Sequence, residues 1–240
     1  MNNELLRRIV RKISYFFSYS AVLQGKENMY FNTLAKILPE DSTFYPFGGG
    51  ANSSLLYFIS RFSKEFSGVR ILELGMGQTT QILNLFADSQ ELHIAYDDNK
   101  YWVEEVRKKL EHPEKVDLRY AQLELIEYEE LTANIYSNLD TDMANIDFDI
   151  IIVDGPKGTK KNSRAGVLPT LIDKCIKQEN IVIIFDDTHR NPELTTFYKL
   201  INKLKSKQVW SDQFRIKFLH ASKSQACLIK GNKYINSYYY

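Results

Sequence analysis

Val69-Arg-Ile-Leu-Glu-Leu-Gly-Met-Gly-Gln-Thr-Thr80 decides how this sequence folds. Its apolar run (Ile71, Leu72, Leu74) stops at Gly75-Met-Gly77, and an apolar-periodic stretch (Ile82, Leu83, Leu85, Phe86) begins just beyond. That order predicts a buried strand, a tight turn and a helix. Glycine suits the turn because it accepts positive φ and lets a ligand approach the backbone. Free amides at a helix N-terminus favour a negatively charged group, and Thr79 and Thr80 are placed to cap the helix or add a hydroxyl donor. Thr80 stands where the full dinucleotide fingerprint has its third glycine. By itself the turn also reads as plain punctuation, so the rest of the chain must decide.

Outward from this stretch, strand and helix alternate. Leu92–Tyr96 reads as a strand ending in Asp97-Asp98-Asn99, followed by a helix from about Tyr101 to Leu110. Val116–Tyr120 is a short strand, and Phe148–Val153 is a buried one closed by Asp154-Gly-Pro. A helix around Val167–Lys177 leads to Ile181–Phe185, closed by Asp186-Asp187. Continuous β-branched runs suit a parallel sheet covered on both faces, and the alternation predicts a doubly wound α/β fold. Phe214–His220 and Gln225–Lys230 read as a terminal antiparallel pair; the tail Tyr234–Tyr240 has no assignment.

Upstream, Glu4–Tyr19 sets Leu5, Leu6, Ile9, Val10, Ile13, Phe16 and Phe17 against Arg7, Arg8, Arg11 and Lys12 at helical spacing. Such a basic amphipathic helix serves a membrane surface, a partner, its own domain or a second copy of the chain. A second helix is expected from about Glu27 to Leu38, stopped by Pro39. Phe44–Ser54, with three consecutive glycines, is a loop that connects or covers a ligand, and Asn52 or Ser53 caps a helix Leu55–Phe66. Residues 1–42 therefore read as a helical extension and 43–240 as the main domain.

The 240 residues, 44% hydrophobic and 25% charged, suit one sizeable α/β domain with a short appendage. A formal net charge of +1 gives no global reason to expect nucleic acid. Cys175 and Cys227 lie far apart in apolar segments, so they read as core residues of a reducing compartment. No apolar run approaches a membrane span and no secretory signal is evident, so a cytoplasmic location is expected, membrane-peripheral if the N-terminal helix docks there.

Ligands of doubly wound sheets bind at the carboxyl ends of the strands, near the switch point. Those ends carry Gly75 and Gly77, Asp97, Asp154, and Asp186 with Asp187. An acid closing the strand after the glycine turn can accept hydrogen bonds from both hydroxyls of a ribose; Asp97 is chosen, with Asp98 its rival or the cap of the next helix. If the other three carboxylates converge, like charges at about 4 Å repel by roughly 4 kcal/mol at an effective dielectric near 20. A proton, a divalent cation such as Mg²⁺, or one of Lys157, Arg164, His189 and Arg190 must offset that.

At this point the residues resemble a family. Glu73-Leu-Gly-Met-Gly-Gln-Thr-Thr80, with Asp97 and Asp154 closing later strands, is similar to class I S-adenosylmethionine-dependent methyltransferases, from Val69 to the C-terminal strand pair. The resemblance implies a seven-stranded sheet whose last strand is antiparallel, and a cofactor set of Glu73, Gly75, Gly77, Thr79, Thr80, Asp97 and Gln122. Asp154-Gly-Pro-Lys157 with Asp186-Asp187 further resembles cation-dependent O-methyltransferases of the catechol type. That implies Mg²⁺ or Mn²⁺ on Asp154, Asp186 and Asp187, although Asp187 stands where those enzymes have Asn. The general base is then Lys157, or His189, whose ordinary pKa suits the task better. Asp154-Gly-Pro…Ser163-Arg164, Asp186-Asp187-Thr-His-Arg190 and Asp98-Asn-Lys-Tyr-Trp102 are also similar to the plant glucuronoxylan 4-O-methyltransferase group. That points to a sugar, glycan or small polyol as acceptor, with Arg164 and Arg190 on an acidic substrate group. The competing readings are a nicotinamide-dependent oxidoreductase, which predicts a fuller glycine motif, and a methyltransferase-like binding module without turnover.

Overall fold

The computed structural model describes residues 3–40, 42, 44, 50–128, 131–158 and 163–240, with side chains described from residue 19 onward. A seven-stranded sheet orders its strands as Asp117–Tyr120 (β3), Gln90–Asp97 (β2), Val69–Leu74 (β1), Ile150–Val153 (β6), Ile181–Phe185 (β7), Ser224–Lys230 (β9) and Phe214–His220 (β8). Every neighbouring pair is parallel except the two that involve β9. The terminal antiparallel pair therefore arises from one reversed strand inserted beside β7, in the architecture that the sequence resemblance implied.

Side chains alternate across this sheet, which explains the uninterrupted apolar runs. Ile151 and Val153 of β6 join one core with Leu171 and Cys175 of α6 (Leu168–Lys177) and Phe197 of α7 (Asn191–Ser206). Ile150 and Ile152 point the other way, into a core with Leu55, Phe58 and Phe62 of α2 (Ser53–Glu65). Asn52 caps α2 by accepting from the Leu55 amide. Cys175 and Cys227 are buried in these opposite cores, and burial pushes both thiols up to about 12.

Three departures from the sequence reading have physical causes. The two expected N-terminal helices are one, α1 (Asn3–Leu34), because the strongest helix-weakening residue between them, Gly25, costs about 1 kcal/mol and does not break a helix. Its C-terminal part is fixed to the domain: Glu27 accepts from the amides of Ser53 at 2.6 Å and Ser222 at 3.2 Å, and Leu34 is buried. Residues 124–147, for which the sequence pattern predicts no element, contain the antiparallel hairpin of β4 (Leu123–Tyr128) and β5 (Leu131–Tyr136), then the short α5 (Leu139–Met143). Glutamates along β4 disguise a strand whose Leu123, Ile126 and Tyr128 still pack on the main core. The unassigned tail seats Tyr234 between Phe62 and Phe66 and bonds its hydroxyl to Asp149. Residues 45–49 of the glycine-rich loop lie outside the described residues. Among the described residues, no helix is long and apolar enough to cross a membrane.

Candidate active site

Strand order reverses about β1 and β6, and their carboxyl ends form the floor of the site. Gly75 leaves β1 with φ +96° and donates to the Tyr96 carbonyl at 2.9 Å, while the Asp154 amide donates to the Leu74 carbonyl at 2.8 Å. A Cβ on Gly75 would lie 2.9 Å from the Asp154 carbonyl carbon and from the Gly155 nitrogen. This glycine is thus required by the close approach of two strand ends as well as by its φ. Gly77 differs: a Cβ there would meet nothing within 4 Å, so its backbone faces open space.

The rest of the turn is wired internally. Glu73 is fully buried; one carboxylate oxygen accepts from the Thr79 hydroxyl and the other lies 3.2 Å from His93 Nε2. Thr80 Oγ1 accepts from the Gly77 amide at 2.9 Å. Glu73, Thr79 and Thr80 therefore hold the turn in shape, their polar groups engaged with protein rather than with the cleft. The helix that follows, α3 (Gln78–Asn84), has only seven residues. Asp97 closes β2 and accepts from the Met76 amide (3.2 Å) and the Asn99 amide (2.8 Å). Burial raises its carboxyl above the ordinary value. Asn99, not Asp98, caps α4 (Lys100–Arg107), which leaves both Asp97 and Asp98 on the cleft wall. Gln122 is exposed in the link between β3 and β4 and lies outside the cleft lining.

One cleft of about 630 Å³ runs from Gly75, Asp97 and Asp98 to Asp154, Asp186 and Asp187, with Lys157, Arg190 and Lys223 also on its walls. A carboxylate oxygen of each of Asp154, Asp186 and Asp187 lies within 4.8 Å of the others. Arg164 penetrates this group. Its Nη2 donates to Asp154 Oδ1 at 2.7 Å and Asp187 Oδ2 at 3.2 Å, and its Nη1 donates to the carbonyls of Val153 (3.1 Å) and Asp186 (2.6 Å). Arg190 pairs with Asp187 Oδ2 at 3.0 Å, Lys223 lies 3.8 Å from Asp187 Oδ1, and Gln225 donates to Asp186 Oδ1 at 2.8 Å. Burial first, and then the Asp186 charge, push the Asp154 carboxyl up to about 8; burial and Asp187 raise Asp186 likewise.

These contacts reassign several sequence candidates. Arg164, expected on the substrate, is only 5% exposed and both its terminal nitrogens donate to protein oxygens. Arg190 stays exposed, as does Lys157, whose carbonyl accepts from Asn134. His189 is exposed and outside the cleft lining. The three carboxylates fit a divalent ion in number and spacing, but their charge already has two guanidinium partners. Arg164 already occupies oxygens of Asp154 and Asp187 that such an ion would need, and its repulsion of a divalent ion about 4 Å away, about 8 kcal/mol at an effective dielectric near 20, would offset part of the carboxylates' attraction. The donor set is thus poorly suited to Mg²⁺ or Mn²⁺ while Arg164 holds this place.

Sequence reasoning missed Tyr136, the last residue of β5. Its side chain is buried and lines the cleft beside Gly155, where a Cβ would collide with the Tyr136 hydroxyl. That hydroxyl has no hydrogen-bond partner among the described residues, and burial together with Asp97, Asp98 and Asp154 keeps it protonated. No local signal announces it, because the tyrosine reaches the site through an unrecognised hairpin.

No protein-family model matches the chain, and no curated protein matches it. Among solved structures, a precorrin-6Y C5,15-methyltransferase from Geobacter metallireducens superposes with a TM-score of 0.52 at 9% identity, over 82% of this chain and 98% of that one. An O-methyltransferase from Bacillus cereus in complex with SAH matches at TM-score 0.49 and 13% identity, over 86% and 90%. An SAH-bound methyltransferase from Podospora anserina matches at 0.48 and 12%, over 97% of each chain. The chain has the Rossmann-like methyltransferase fold.

Proposed function

We propose that this chain, built on the Rossmann-like methyltransferase fold, transfers a methyl group from S-adenosylmethionine to a hydroxyl of an acid-bearing sugar, glycan or small polyol. The observation that carries this reading is a single cleft with Asp97 and Asp154 at the ends of strands on either side of the glycine turn. S-adenosylmethionine, when bound, supplies a methyl group activated by a sulfonium sulfur.

The chain's residues supply position, charge and a proton acceptor. Asp97 is oriented by two backbone amides, which leaves each carboxylate oxygen further capacity for a ribose hydroxyl. Open space over Gly77 admits a ligand close to the backbone. Asp154, 34% exposed at its side chain, faces the same cleft and is the carboxylate best placed to take the proton of an acceptor hydroxyl. Its raised pKa matches that role better than Lys157 on the rim or His189 outside the lining. Arg190, Lys157 and Lys223 give the outer cleft a positive rim that suits a uronate or phosphate on the acceptor. Holding two reactants in one geometry supplies much of the remaining gain.

Calorimetric titration of S-adenosylmethionine and its demethylated product into the full chain tests the reading, followed by a screen of acidic and neutral sugars for methyl acceptance. Binding of both, with transfer to an acidic acceptor above its neutral counterpart, is expected. Absence of binding to either ligand overturns it.

A further inference from the structure

We propose that Arg164 is the resident cation of the carboxylate cluster, standing where the sequence resemblance placed a divalent metal ion. Four oxygens from the ends of two strands converge on its one guanidinium: Asp154 Oδ1, Asp187 Oδ2 and the carbonyls of Val153 and Asp186. A planar fork with several fixed donors serves such a set, which an ammonium on a flexible stem does not. The side chain is 5% exposed, so its charge is bound to these partners rather than solvated. Arg164 also adopts φ +58°, in the left-handed region that side chains rarely occupy. Strain of this kind persists where surrounding contacts over-determine the residue.

Two further cations lie against Asp187: Arg190, and Lys223 at 3.8 Å from Oδ1. Arg190 shares Asp187 Oδ2, and Asp186 is held by Gln225 rather than by a charge. Arg164 is thus a positioning residue: it fixes Asp154 at the cleft and offsets the repulsion among the strand-end acids. The inference rests on the methyl-transfer reading for its consequence, that cofactor binding and turnover withstand chelators. Its direct test needs no acceptor.

Full-length protein stripped with EDTA is titrated with Mn²⁺, with binding read by calorimetry and by the spin-resonance signal of free Mn²⁺. Wild type, Asp187→Asn, Arg164→Gln and the Arg164→Gln/Asp187→Asn pair are compared, and S-adenosylmethionine is titrated into the same samples. Wild type is expected to hold no Mn²⁺ tighter than about 1 mM, the weak end of protein cation sites. Arg164→Gln is expected to gain a site at least about tenfold tighter, which Asp187→Asn then removes. A wild-type Mn²⁺ site tighter than about 0.1 mM and lost in Asp187→Asn overturns the proposal. So does an Arg164→Gln chain that folds and gains no site. Should Arg164→Gln fail to fold, wild type and Asp187→Asn still decide. Failure of S-adenosylmethionine to bind would count against the methyl-transfer reading and leave the Mn²⁺ result readable.

Discussion

Replacing Asp97 by Asn separates the hydroxyl-binding role of this carboxylate from its role in the turn. Two amides, Met76 at 3.2 Å and Asn99 at 2.8 Å, already donate to its two oxygens. Asparagine keeps one acceptor oxygen and replaces the other with a donor, so it removes the charge and confronts one of these amides. Hydrogen bonds to a charged group contribute about 1.5–3 kcal/mol each, against about 0.5–1.5 for neutral ones. Two ribose hydroxyls that exchange a charged for a neutral partner therefore lose about 2–3 kcal/mol together, a factor of roughly 30–150 in Kd. Asp97→Ala loses both bonds and is expected to weaken binding by about a thousandfold. Calorimetry with S-adenosylmethionine reads the affinity, and thermal unfolding without ligand reads the turn. The apo variant is expected to keep its Tm within a few degrees, since Gly75 is still held by the Tyr96 carbonyl and the Asp154 backbone. If Asp97→Asn binds within threefold of wild type, or loses affinity only in proportion to a large fall in Tm, the ribose assignment is refuted.

Gly75→Ala adds a left-handed strain of about 1–2 kcal/mol and a backbone clash of about 1–3 kcal/mol, so a Tm drop of several degrees is expected; Gly77→Ala, with nothing within 4 Å, should leave apo stability near wild type and reduce cofactor affinity. Equal Tm losses would contradict the distinction drawn between the two glycines. Asp154 has a folded pKa of about 8, above its ordinary 3.8, so its contribution to stability is full below about pH 4 and is lost as pH rises through about 8. Asp154→Asn is then expected to abolish transfer yet to unfold at a higher temperature than wild type at pH 9, by about 1–2 kcal/mol once screening by cleft solvent is counted, with the advantage shrinking toward pH 4. Wild-type turnover should rise from pH 6 to 9; a flat profile argues against Asp154 as the proton acceptor. Tyr136→Phe removes a buried hydroxyl without a partner, so the apo protein should gain up to about 1 kcal/mol while affinity for S-adenosylmethionine or the acceptor falls. A destabilised apo variant with unchanged affinities would remove Tyr136 from the site.

Length, periodicity and punctuation by themselves determined the layered fold. A strand buried on both faces is mostly apolar, so β1 (with Glu73 its one charged residue in this run), β6 and β7 announce themselves in Ile71–Leu74, Ile150–Val153 and Ile181–Phe185. A doubly wound sheet sets its carboxyl ends along one edge, so the sequence alone places Asp97, Asp154 and Asp186 in one cleft. What the sequence could not carry is which way each polar group turns. Thr79 and Thr80 sit in the motif yet spend their hydroxyls inside the turn, because Glu73 and the Gly77 amide are buried with them and must be satisfied. Arg164 and Arg190 look alike in the chain. Only the tertiary structure decides that the first is swallowed by four oxygens while the second remains at the mouth, since burial of a guanidinium depends on acceptors from strands far away in sequence. Tyr136 enters by a hairpin whose glutamates hide its period, so long-range packing alone put its hydroxyl on the cleft wall beside Gly155.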